Sequence, residues 1–180
     1  MPHAVTHFLI PALIVALFRD FYLRNKDKKK FPLHYVLISG LAGLLPDIDI
    51  ALYYFLSFSN FTIEEIHRTF SHNLFIPLIF WILGFMFIGT RNRELGKHGL
   101  KLSTIFFVIT LGVLTHLILD AIFLGEIKPF YPVYNLGIGF NILKLLPSQF
   151  HDTILPVIDA GLLILWMIYL EIKHKISDYI

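Results

Sequence analysis

The chain has 180 residues, of which 56% are hydrophobic and only 16% charged; it carries a net charge of +2 and no cysteine. So apolar a balance excludes an ordinary soluble domain and indicates a single integral membrane domain spanning residues 1–180, with no nucleic-acid partner expected. The lack of cysteine excludes disulfides, thiolate zinc sites and a cysteine nucleophile, so any metal must be held by His, Asp or Glu.

In chain order, the first apolar run leads from Thr6-His7 to about Phe18 and has no basic region before it, which predicts a membrane helix and not a cleaved signal. Six basic residues follow between Arg19 and Lys30. Under the positive-inside tendency they belong in the cytoplasm, so the N-terminus lies outside. A second run, Leu33 to Leu45, stops at Pro46-Asp47-Ile48-Asp49. At 1.5 Å per residue it covers only about 20 Å of a roughly 30 Å hydrocarbon layer, so either flanking residues extend it or the Pro-Asp loop lies below the outer surface, buried in protein. The short apolar piece Ile50 to Phe58 is expected to be re-entrant or interfacial.

Thr62 with Glu65 forms a capping-box pattern, predicting a short helix that carries His67 and Arg68. His67 and His72 lie roughly 140° apart on a regular helix, so both can face one point only if the helix breaks between them. Ser71 is then expected to cap the next helix and to place His72 in its first turn, where the macrodipole favours the neutral imidazole. A third run, Leu74 to Thr90, precedes a second basic cluster, Arg91 to Lys101; the fourth, Leu102 to Leu124, carries His116 and Asp120. The aromatic connection Gly125 to Asp152 suits the membrane interface, and a fifth run, Thr153 to Leu170, carries Asp159 and ends at Lys173 and Lys175. The expected fold class is therefore all-α: a multi-pass membrane protein with about five transmembrane helices, N-out and C-in. That topology places twelve of the fifteen Lys and Arg inside.

The same topology brings His3, His7, Asp47, Asp49, His67, His72, His116, Asp120, His151, Asp152 and Asp159 toward the outer side. His116 and Asp120, four residues apart, share a helix face about 6 Å apart along its axis and can bind one ion or two neighbouring ones. Ionisable residues inside a membrane segment are costly, and by default they indicate a functional site. Imidazoles and carboxylates together suit zinc, manganese or iron. A hydrogen-bonded packing role is the ordinary alternative for any one of these residues. Asp159 in particular is expected to bond a neighbouring helix outside the site.

Thr6-His7, Gly43-Leu44-Leu45-Pro46-Asp47-Ile48-Asp49, His67-Arg68-Thr69-Phe70-Ser71-His72 and His116-Leu117-Ile118-Leu119-Asp120 occur in that order. They resemble the motifs of the YdjM-type family, which those motifs class as membrane-bound metal-dependent hydrolases, although Gly43 and Pro46 stand one residue closer than in the family pattern. The resemblance implies one or two divalent ions, zinc first, on His7, Asp47, Asp49, His67, His72, His116 and Asp120. It also implies hydrolysis of an ester or phosphoester on a lipid-like substrate at the extracytoplasmic side. Asp49 or Asp120 would be the general base, and Arg68 would pair with a phosphate or a developing anion. Two alternatives from other classes are a divalent metal or proton transporter and a non-catalytic membrane adaptor.

Overall fold

The computed structural model describes residues 4–22, 31–55, 71–89, 94–95, 99–123 and 125–175. His3, the Thr62 capping box, His67, Arg68 and most of the first two basic clusters lie outside these residues.

Among the described residues, six α-helices follow the apolar runs closely: α1 (Ala4–Leu17), α2 (His34–Gly43), α3 (Ile48–Phe55), α4 (Phe75–Met86), α5 (Leu102–Phe123) and α6 (His151–His174). α1 continues into a π-helical turn, Phe18–Tyr22. A two-residue antiparallel ladder, Glu94–Leu95 with Leu100–Lys101, leads into α5. Among the described residues, α1, α5 and α6 belong to helical stretches long and apolar enough to cross a membrane, whereas α2 and α4 are shorter apolar helices. α2 packs between α1 and α5, α4 covers another side of α5, and α6 lies against α1.

Among the described residues, the helix faces turned outward are largely apolar, while a set of polar groups is buried between the helices. Leu78, Ile79, Trp81, Ile82 and Phe85 on α4 and Leu163, Ile164 and Leu165 on α6 are exposed, whereas His7, His72, His116 and Asp120 are buried. This distribution suits hydrocarbon around the protein. At one end the bundle closes on Ala12, Val15, Ala16, Tyr35, Val36 and Val108. The same end is pinned by three polar contacts. Tyr35 Oη accepts the amide of Lys101 at 2.6 Å, and Asp20 pairs with Arg19 at 3.0 Å. The Tyr169 hydroxyl also donates to Asp20, at 2.8 Å.

Close approach of α2 to its two neighbours depends on small residues, the usual solution where helices cannot rely on expelling water. A Cβ on Gly112 of α5 would lie 2.5 Å from the Ser39 carbonyl oxygen and 2.7 Å from Ala42 Cβ. We predict that Gly112→Ala lowers stability by about 1–3 kcal/mol through overpacking. Gly89→Ala, with no atom within 4 Å of its added Cβ, should leave the melting temperature in detergent unchanged.

Candidate metal centre

Among the described residues, four separate parts of the chain deliver the site. His7 comes from the second turn of α1, Asp47 from the turn after α2, His72 from the segment before α4, and His116 and Asp120 from the inner face of α5. α2 ends at Gly43, and its last carbonyl groups have no helical donor. One of them, Gly43 O, lies 2.7 Å from His116 Nδ1. A carbonyl only accepts, so Nδ1 carries the proton and Nε2 turns its lone pair inward. This is the outer-shell arrangement that fixes metal-binding histidines.

His72 is set in the same way by a different route. The Ser71 hydroxyl donates to Asp49 Oδ2, and Ser71 Oγ lies 2.9 Å from His72 Nδ1. With its proton committed to Asp49, Oγ accepts from Nδ1–H, which again leaves Nε2 facing the cluster. Asp49 Oδ2 itself is 3.5 Å from Nδ1. Asp49 therefore meets His72 on the side away from the other ligand atoms.

The inward atoms converge tightly. His116 Nε2 lies 3.1 Å from His72 Nε2, 3.5 Å from Asp47 Oδ1 and 3.6 Å from Asp120 Oδ2. Asp120 Oδ2 is 3.3 Å from His72 Nε2, and Asp120 Oδ1 is 3.3 Å from His7 Nε2. His72 Nε2 and Asp47 Oδ1 are 3.7 Å apart. Donor atoms held tetrahedrally around one ion at about 2.0–2.1 Å lie about 3.3 Å from each other, the spacing seen here.

These distances suit ion pairing, yet His7 Nδ1 and Nε2, Asp47 Oδ1 and both oxygens of Asp120 make no hydrogen bond within the described residues. Buried polar groups are normally paired, so a cluster that is close but not hydrogen-bonded fits a cation as its common partner. His7–Asp47–His116 and His72–His116–Asp120 each offer three ligand atoms within reach of one ion and share His116. The residues thus fit a divalent metal. Burial alone would lower the His72 pKa, but the carboxylates of Asp120, Asp47 and Asp49 close to its ring outweigh that effect and push it up to about 10. The carboxylates demand positive charge at this position, as a proton or as a metal.

Two expectations are corrected here. Ser71 does not cap α4: Asn73 Oδ1 accepts the amides of Phe75 at 3.0 Å and Ile76 at 3.2 Å. Asn73 precedes the free amides by two and three residues, the reach that an Asn cap needs, and this releases Ser71 for His72. His72 consequently lies ahead of the first turn of α4, and the surrounding carboxylates, not the helix dipole, govern its charge. Among the remaining outer-side candidates, His151 Nε2 bonds Leu146 O at 2.9 Å, outside the cluster. Asp152 is exposed, also outside the cluster.

Fold and site together define a helical membrane protein with a buried cluster of histidines and aspartates. The chain belongs to the YdjM family of inner membrane proteins, whose family model matches residues 1–175. No curated protein and no solved structure matches it significantly.

Because His116 serves both ligand triplets, His116→Ala should reduce metal per protein, measured by elemental analysis after dialysis, to background. Asp49→Asn should weaken affinity by about 10–100-fold without abolishing binding, as expected for an outer-shell partner.

Proposed function

We propose that the protein is a membrane-embedded, metal-dependent hydrolase acting at the extracytoplasmic side on an ester or phosphoester of a lipid-like substrate. It would hold one or two divalent ions, zinc first with manganese or iron as alternatives, through His7, Asp47, His72, His116 and Asp120. The observation that carries this reading is the buried set of histidine nitrogens and carboxylate oxygens at ligand-to-ligand spacing, with several atoms that no protein hydrogen bond satisfies.

A bound divalent ion would supply a water acidic enough to lose its proton near neutral pH. The protein's own residues divide the remaining work. Asp120, 1% exposed and close to all three imidazoles, serves as ligand. Asp49, engaged with Ser71 and His72, orients an imidazole. Asp47 has the more accessible side chain, 24% against 2% for Asp120, and is thereby favoured over Asp49 and Asp120 to take the proton of the attacking water. Arg68, next in sequence to His67, would pair with a phosphate oxygen or the developing anion, and His67 would complete the ligand set.

A site within an apolar-walled bundle receives an amphiphile more readily than a soluble molecule, which supports a lipid-borne bond as substrate. The far end of the bundle closes on the apolar cluster around Tyr35, Val36 and Val108, an arrangement less suited to transport, which needs access from both sides. The direct test is release of phosphate or fatty acid from a panel of phospholipids and polyprenyl phosphates by purified protein. We expect turnover that is lost with a chelator, restored by zinc and absent in Asp47→Ala. Zinc uptake into liposomes without any turnover would instead favour transport.

We further propose five crossings with the N-terminus outside and the C-terminus inside, the topology that keeps the basic clusters cytoplasmic. The chain has no native cysteine, so single cysteines can report each side. An impermeant maleimide on intact cells should label Lys144→Cys but reach Lys175→Cys only after permeabilisation; the reverse pattern would invert the orientation.

A further inference from the structure

The three imidazoles of the centre are not held alike. His116 has Gly43 O on its Nδ1 and His72 has Ser71 Oγ, whereas neither ring nitrogen of His7 makes a hydrogen bond among the described residues. The His7 ring stacks on that of His116 at 3.9 Å between centroids. Stacking limits the tilt of a ring but does not fix its position along the helix axis. Something else must hold His7 in register with Asp120.

The residue before it supplies the hold. Thr6 is 2% exposed, and its amide donates to Asp159 Oδ1 at 3.0 Å. Its hydroxyl donates to the same oxygen. Thr6 N–H belongs to the first turn of α1, where amides have no helical acceptor and the macrodipole favours an anion. Asp159 reaches it from α6, 153 residues later in sequence. α6 is otherwise largely exposed, with Leu155 its only buried residue. One carboxylate oxygen thus fixes both the backbone and the side chain of the residue adjoining a candidate ligand.

We infer that Asp159, acting through Thr6, is a positioning residue that keeps His7 in place as a metal ligand. This inference rests on the metal-centre reading, and it gives α6 a part in the site although that helix contributes no ligand.

The test is zinc affinity of the purified full-length protein, measured by competition with a chromogenic chelator, with Asp159→Ala in the native and in the His7→Ala background. In the native background the substitution should weaken zinc binding about tenfold or more. Once His7 is gone it should have little further effect, because the two act on one ligand. Asp159→Asn and Thr6→Ser keep the acceptor and the hydroxyl and should bind zinc as the native protein does, whereas Thr6→Val should follow Asp159→Ala. Should Asp159→Ala fail to fold, the Thr6→Val and Thr6→Ser pair in the same two backgrounds gives the comparison. An equal loss in both backgrounds, or no loss in either, overturns the positioning role and leaves the metal centre standing. Absence of zinc binding by the native protein overturns the metal centre itself, and the role with it.

Discussion

At Gly43 three helices meet on one stretch of backbone, and the arrangement of the centre follows from that meeting. Pro11 has no amide hydrogen, so the His7 carbonyl four residues before it loses its helical donor. Gly43 lies directly against this carbonyl: a Cβ there would sit 2.1 Å from His7 O and 2.9 Å from the Pro11 ring. The glycine thus points a C–H at the carbonyl that the proline leaves unpaired, a weak hydrogen bond at best but one that only glycine has room for. Its own carbonyl, freed because α2 ends there, accepts from His116. One residue therefore sets the distance between α1 and α2 and also the tautomer of an imidazole on α5.

The second constraint is electrostatic. Asp47, Asp49 and Asp120 share a small buried region with three imidazoles, each fully buried. Charges withdrawn from water are tolerated only when compensated, and removal of one partner leaves the others exposed to the full desolvation cost. The raised pKa of His72 is the signature of this imbalance. A divalent ion would offset it more completely than a single proton, since it can contact nitrogen and oxygen ligands from four segments at once. The same requirement explains why a protein with so apolar a perimeter can keep His7, His72, His116 and Asp120 inside.

Membership of the YdjM family follows from the whole length of the match, residues 1–175, and not from any one motif. The ordered motifs between Thr6 and Asp120 were enough to suggest it, because each contributes a residue type that apolar segments otherwise avoid. α6 shows what those motifs leave out. Asp159 lies beyond them and looks like an isolated acid in an apolar run, yet it reaches the first turn of the first helix.

The sequence by itself determined the membrane class, the limits of the helices to within a few residues, and the identity of His7, Asp47, His72, His116 and Asp120 as candidates. Apolar runs and the cost of burying charge are properties that a linear chain already displays. What only the tertiary structure decided is how those groups are shared out: Asp49 and Ser71 behind His72, Gly43 O behind His116, Asn73 as the cap of α4, and Asp159 on Thr6. Each of these depends on contacts between segments distant in sequence or on which of two neighbouring side chains reaches an amide first. The distant contacts depend on how closely the helices cross at small residues such as Gly43 and Gly112, and no local pattern along the chain encodes that distance.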